Sequence, residues 1–156
     1  MIGLRKRYLF LATAMVLIGL LTVPSMVLAG VEIQDEGRGT VSLNSVGDAP
    51  EQATATAEFD LDTNDDGWNK VRMKLKVRNL PERAGRVFET WWRDSETGFE
   101  DPVGAFQTDN DGDGGFTVTK RVVFFAPYNE ILVTSERRND TEPKRNGPVL
   151  LKGRME

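Results

Sequence analysis

The sequence predicts an all-β protein: a single antiparallel β-sandwich of immunoglobulin-like layout, preceded by an N-terminal signal or transmembrane helix. Two observations predict the β fold. Short stretches of alternating apolar and polar residues recur along the chain and are separated by turns rich in Gly, Asp and Asn. Beyond the N-terminus, no stretch keeps the 3.6-residue period of a helix. Such a pattern is typical of sandwiches and barrels with many short strands.

Residues 1–29 are predicted to be a signal peptide. A basic stretch, Arg5–Arg7, precedes the apolar run Tyr8–Val23, and Val27 and Ala29 supply the small residues that a signal peptidase requires. The alternative is an uncleaved membrane anchor, because about 17–25 apolar residues suffice to cross a bilayer. Both alternatives predict an extracytoplasmic protein, either secreted or membrane-anchored.

Residues 30–156 are expected to form one β-sandwich domain, since their number suits a single domain. This part of the chain holds 17 basic and 24 acidic residues, a net charge of −7. A negative charge disfavours binding to nucleic acid, whose affinity comes largely from phosphate neutralisation. We therefore expect no nucleic-acid partner, and contact with a membrane only through an uncleaved N-terminal segment.

The chain contains neither histidine nor cysteine. This composition excludes Ser-His-Asp and Cys-His nucleophilic machinery, and it excludes zinc or copper sites built on imidazole or thiolate. Carboxylate, lysine, serine and tyrosine chemistry remains. We expect a protein that is not an enzyme. The sequence establishes no cofactor, and weakly bound calcium is the one candidate.

The expected strands follow one another at short intervals. Those with alternating or apolar patterns are, in chain order, Val31–Ile33, Thr40–Leu43, Ala53–Leu61, Val71–Leu80, Arg86–Arg93, Val103–Gln107, Phe116–Phe125, Ile131–Ser135 and Val149–Leu151. The clearest is Val71–Leu80, whose odd positions are apolar and whose even positions are basic as far as Arg78. A turn on Pro81 and Gly85 leads from it to Arg86–Arg93, the strand that holds Phe88, Trp91 and Trp92. Val71–Val77 and Phe88–Trp92 are therefore expected to be neighbouring strands.

The core is expected to form from one face of each strand. Its predicted members are Phe59, Leu61, Met73, Leu75, Val77, Phe106, Phe116, Val118, Ile131 and Val133. Trp91 and Trp92 are consecutive, and neighbouring residues in a strand point to opposite faces. Trp92 shares a face with Phe88 and Thr90 and is assigned to the core. Trp91 is then either a binding platform or a side chain covered by a loop.

Four stretches carry a family resemblance: NLPERAGRVFETWWRD, VGAFQTDNDGDGGFTV, EILVTSERRND and NGPVLLKG. Together they resemble the extracytoplasmic C-terminal domain of anti-sigma-K-type factors, over roughly residues 71–153. The resemblance implies a β-sandwich. It does not imply sigma-factor binding, because only seven residues precede the apolar run. A weaker similarity is to chordin-like (CHRD) domains, whose histidine-bearing motif this sequence lacks.

The expected function is that of an exported, non-catalytic binding or structural module of the cell envelope, with a glycan or protein as partner. Glu89 and Trp91 are the candidate ligand-binding residues, because an aromatic ring stacks on sugars and a carboxylate accepts their hydroxyl hydrogen bonds. The alternative is a small carbohydrate-active enzyme using Glu89. That chemistry needs a second carboxylate about 5–9 Å away, for which Glu58 and Asp60 are the candidates.

Two acidic turns resemble the first half of a calcium-binding loop. Their candidate metal ligands are Asp109, Asp111 and Asp113 in one turn and Asp62, Asn64 and Asp66 in the other. The twelfth positions, Lys120 and Met73, lack the bidentate glutamate of a complete loop. Asp and Asn also occur in ion-free turns, where they cap backbone amides. The turns therefore either bind no ion or bind calcium weakly, as in a calcium-stabilised adhesion-type module.

Overall fold

A computed structural model describes residues 37–63, 68–123, 125, 127–139 and 144–155. The expected signal or anchor segment at 1–29 and the expected first strand, Val31–Ile33, lie outside the described residues. Among the residues described, there is no helix of the length and apolar character needed to cross a membrane.

The described chain is all-β and antiparallel, as predicted. Its eight strands are β1 (Arg38–Ser45), β2 (Thr54–Thr63), β3 (Asn69–Arg78), β4 (Arg86–Arg93), β5 (Glu100–Phe106), β6 (Gly114–Val122), β7 (Glu130–Arg137) and β8 (Val149–Arg154). Every hydrogen-bonded strand pair is antiparallel. The alternation in β3 gives the expected result, since Val71, Met73, Leu75 and Val77 are buried while the basic residues between them are exposed.

The strands form one sheet in the order β5-β4-β7-β8-β1-β2-β3-β6. Its terminal strands, β5 and β6, approach each other, so the sheet is nearly closed and barrel-like. The immunoglobulin-like pair of sheets is not confirmed.

The expected pairing of β3 with β4 is wrong, because β3 pairs with β2 and β6 while β4 pairs with β5 and β7. The connection between β3 and β4 crosses one end of the sheet and does not form a hairpin. Asn79, at a φ of 56°, starts this crossing. Its side-chain amide donates to the carbonyl of Gln52, and the amide of Leu80 donates to the carbonyl of Gly112. The crossing is thus tied to two other turns.

The core fills the inner face of the sheet. Seven of the expected members are buried: Phe59, Met73, Leu75, Val77, Phe106, Ile131 and Val133. Leu61, Phe116 and Val118 are only partly buried, although they pack against the core. Phe116 and Val118 lie on β6, a terminal strand of the sheet with a hydrogen-bonded neighbour on one side only, which explains their partial exposure.

The seam between β5 and β6 is closed mainly by side chains. One isolated bridge joins the strands, and beyond it the Phe106 and Phe116 rings stack with centroids 6.0 Å apart. Phe116 also lies on Gly104, where an added Cβ would meet its Cε2 at 2.6 Å. Farther along, Lys120 Nζ donates to Asp101 Oδ2 at 2.9 Å and to the carbonyl of Pro102 at 2.6 Å. Side chains replace the missing ladder of backbone hydrogen bonds.

The two ends of the sheet differ. The proximal end holds Gly37, where the described chain begins, together with the last residues of β8. The distal end holds the turns after β1, β3, β5 and β7. Because strands alternate in direction, each strand spans the full distance between these ends.

Replacing Gly104 with Ala tests the seam. We expect Gly104→Ala to lower the free energy of unfolding by about 1–3 kcal/mol, because the new methyl group displaces the Phe116 ring. Urea denaturation measures the loss. In the background Phe116→Leu the same change should cost less, since the ring edge is gone. An equal loss in both backgrounds would contradict closure through this contact.

Candidate ligand-binding groove

An open groove lies on the outer face of the sheet near the distal end. Its volume is about 520 Å³, and its lining residues are Val87, Glu89, Ala105, Phe106, Gln107 and Arg138. β4 supplies the first two residues and β5 the next two, while Gln107 and Arg138 follow directly after β5 and β7. Glu89 is therefore at a concave surface, with a guanidinium and an amide among the other lining groups.

Of the two predicted roles of Trp91, the exposed binding platform is wrong. Its side chain is 2% exposed, and its indole Nε1 donates to Thr134 Oγ1 at 3.0 Å. Trp92 is fully buried in the core, as expected. The two rings lie on opposite faces of β4, because the strand alternates, yet both faces are covered.

The segment 144–148 covers the outer face of β4. Arg145 Nε pairs with Glu100 on β5 at 3.0 Å, and the amide of Asn146 donates to Glu136 on β7 at 3.3 Å. β4 lies between β5 and β7, so this segment crosses the strand that carries Trp91. The alternative that a loop covers Trp91 agrees with this geometry.

A network of ion pairs surrounds this covered face. Glu130 has a side chain only 3% exposed and lies 2.7 Å from Lys152, 3.5 Å from Arg93 and 3.8 Å from Arg154. Arg93 also lies 3.7 Å from Glu100. A buried carboxylate is costly unless it is paired, and here cations from β4 and β8 supply the countercharge. These ion pairs link β7 to β8 and to β4.

Neither candidate for a second carboxylate lies beside Glu89. Glu58 and Asp60 are on β2, and the strands β7, β8 and β1 separate β2 from β4. Glu58 is exposed to solvent and pairs with Lys76 at 2.5 Å, and the hydrogen bond from Lys76 lowers the pKa of the Glu58 carboxyl. Within the described part of the chain, these acids do not line the groove.

Glu136 is the acidic residue of β7 that lies diagonally across from Glu89. It pairs in register with Val87, while Glu89 pairs with Thr134. Glu136 is 3% exposed, and its Oε2 accepts the amide hydrogen of Asn146. The two carboxylates thus share a face, but the second is covered and does not open to the groove.

The acidic turn between β5 and β6 uses its carboxylates to cap backbone amides. Asp109 Oδ1 accepts hydrogen bonds from the amides of Asp111 and Asp113, each at 3.0 Å. Asp113 Oδ1 accepts from the amide of Asn79 at 3.4 Å. Across the described ranges, no group of three acidic side chains is placed to hold a metal ion.

In the other acidic turn, Asp62 is exposed, while Asn64 and Asp66 lie outside the described residues. Calcium binding stays a prediction.

Sequence reasoning identified Glu89 but missed the other groove residues. Ala105, Gln107 and Arg138 belong to segments far from Glu89 in the chain, and only the pairing of β4 with β5 and β7 brings them together. No local pattern marks them. The searches against known proteins add no further residues, since neither a protein-family model nor a curated protein matches this chain.

The ion-pair network yields a stability prediction. Glu130→Gln should lower the free energy of unfolding by about 2–4 kcal/mol, because it leaves three cations beside a neutral amide. Glu58→Gln is the matched control, since it removes an exposed pair and should have a much smaller effect. Chemical denaturation measures the free energy of unfolding of both variants. Equal losses would contradict the prediction that the buried Glu130 ion pairs stabilise the fold more than the exposed Glu58 pair does.

Thermal unfolding in calcium and in chelator tests whether the acidic turns bind calcium. Since Asp109 already caps the turn, we expect the same melting temperature in chelator and in about 10 mM calcium. The alternative of a weak site, with a Kd of about 10⁻⁴–10⁻³ M, would raise the melting temperature by roughly 4–8 °C or more. In that case Asp111→Ala should abolish the rise, because its exposed carboxylate is a predicted ligand whereas its amide makes the capping contact.

Proposed function

We propose that this protein is an exported, non-catalytic binding module of the cell envelope, and that the groove containing Glu89 is its ligand site. The observation that carries the proposal is that Glu89, Gln107 and Arg138 line one open groove on the outer face of the sheet. Concave sites with a few polar groups among apolar ones are typical of ligand binding.

The chemistry of the lining favours a polar ligand such as an envelope glycan. Glu89 offers a hydrogen-bond acceptor, Arg138 offers donors and Gln107 offers both. Val87 and Ala105 provide apolar surface between them. A chain rich in hydroxyl groups can satisfy all of these groups together. The alternative partner is a protein that presents polar side chains to the groove.

The proposed location rests on the sequence of residues 1–29. A basic start, an apolar run and small residues before Gly30 support export, and the absence of cysteine is compatible with an extracytoplasmic fold held by its core alone. The relationship to the sandwich domain of anti-sigma-K-type factors belongs to the proposal as well. It rests on the sequence stretches within residues 71–153 that carry the resemblance.

The alternative function is that of a small carbohydrate-active enzyme using Glu89. The position of Glu89 in the groove favours it. Its mechanism would require a second carboxylate open to the same ligand, and Glu136 is covered by Asn146. Binding without turnover therefore agrees better with the geometry.

Titration with a panel of envelope oligosaccharides tests this proposal. We expect saturable binding that Glu89→Gln and Arg138→Gln each weaken by about tenfold, because each loses a hydrogen bond to a charged group. Glu58→Gln, on β2, should bind as the wild type does. Trp91→Ala is unsuitable as a probe, because Trp91 is buried.

The same mixtures distinguish the enzyme from the binding module. Shortened oligosaccharides that accumulate with the wild type and not with Glu89→Gln would establish the enzyme. Binding that is unaffected by both groove variants would overturn the assignment of the site.

A further inference from the structure

Exposed apolar side chains gather at the proximal end of the sheet. Among the described residues, the large apolar side chains that are exposed are Trp68 at 44%, Phe99 at 59%, Val123 at 46% and Val46 at 36%. The first three lie at the proximal end, just before β3, before β5 and after β6, and Val46 lies at the distal end. Exposed apolar side chains that lie together at one surface are typical of sites that contact a protein or a membrane.

Two sets of contacts surround these residues at the proximal end. The carbonyl of Val123 accepts a hydrogen bond from the side-chain amide of Asn69 at 3.2 Å, so Val123 lies beside the residue that follows Trp68. The Phe99 ring is 6.3 Å from the Tyr128 ring, which in turn is 5.9 Å from Phe125. Burial, and secondarily the charge of Asp101, raises the pKa of the Tyr128 hydroxyl. Among its described residues, the proximal end thus combines three exposed apolar side chains with a cluster of aromatic rings.

The first residue of the described chain also lies at this end. Gly37 begins the described chain there, and the apolar run Tyr8–Val23 ends only 13 residues earlier, with 24–36 between them. Thirteen residues span at most about 45 Å. If the apolar run stays in a bilayer, the proximal end is the part of the sheet held nearest to the lipid.

We propose that the proximal end lies against a lipid bilayer, with Trp68, Phe99 and Val123 at the headgroup level and Tyr8–Val23 as the anchor. This inference rests on the export included in the proposed function, and it adopts the uncleaved alternative for residues 1–29. Tryptophan and other aromatic side chains favour this interfacial position, where one part of the ring meets acyl chains and another meets water.

The charges on the rim are mixed. Lys70 pairs in register with Arg121 on one side and with Asp62 on the other, and all three side chains are exposed. The apolar side chains, and not a net positive field, therefore carry the contact. The cations can extend their charged ends to the headgroups while their methylene stems cover apolar surface.

This orientation determines where the groove faces. The groove is at the distal end, and strands of eight residues such as β4 span roughly 25 Å. A domain resting on its proximal end presents Glu89 and Arg138 away from the bilayer, toward the envelope space.

Tryptophan fluorescence of the full chain in vesicles tests the proposal. The chain has three tryptophans, and of these Trp91 and Trp92 are 2% and 0% exposed. Vesicles of phosphatidylcholine and phosphatidylglycerol carry dibrominated lipid, which quenches indoles at contact range. We expect the emission that Trp68 contributes, measured as the difference between the wild type and Trp68→Phe, to be quenched, while the emission remaining in Trp68→Phe is not.

Val123→Asp and Val46→Asp form a matched pair, since each places a charge at an exposed valine at one end of the sheet. Val123→Asp should reduce the quenching and Val46→Asp should leave it unchanged. A chain that floats with the vesicles but shows no quenching beyond that of Trp68→Phe would overturn the proposal, as would a chain that does not float. Oligosaccharide titration of the same chain in detergent tests the groove separately, so each idea can fail without the other.

Discussion

The architecture depends on one constraint: the inner face of an eight-stranded sheet stays dry only if its terminal strands meet. β5 and β6 meet through side chains, with Phe116 on Gly104 and Lys120 on Asp101 and the Pro102 carbonyl. Because Gly104 has no side chain, the Phe116 ring can pack directly against its backbone. Lys120 contacts both the seam and the core, because its ammonium group also lies 5.5 Å from the centre of the Trp92 ring.

The second feature of the fold is a strand buried on both faces. Every residue of β7 from Glu130 to Glu136 is buried, because the core covers one side and the segment 144–148 covers the other. A strand in that position needs partners for its polar side chains. Thr134 accepts the indole hydrogen of Trp91, and Glu130 has cations from two neighbouring strands. The outer side of β7 therefore carries polar side chains and is nevertheless closed to solvent.

The sequence was sufficient for the strands and for which side of each strand faces the core. The alternation in Val71–Val77 determines the inner face because the side-chain period of a strand is two residues. This alternation does not indicate which strand pairs with β3. The connection from β3 to β4 is held by hydrogen bonds to turns more than 25 residues away along the chain. The burial of Trp91 could not be predicted locally either, since the residues covering it follow it by over 50 positions.

The position of β8 has a consequence for when the fold can form. In the sheet, β8 separates the strands β5-β4-β7 from the strands β1-β2-β3-β6. Until Val149–Arg154 is in place, β7 and β1 therefore each have a hydrogen-bonded neighbour on one side only. The last of the described strands in chain order is thus the one that joins the two groups of strands through backbone hydrogen bonds. Pairing of distant segments is slow because loop closure must precede it. The sheet therefore closes only after β1 and β8, which lie at opposite ends of the described chain, have come together.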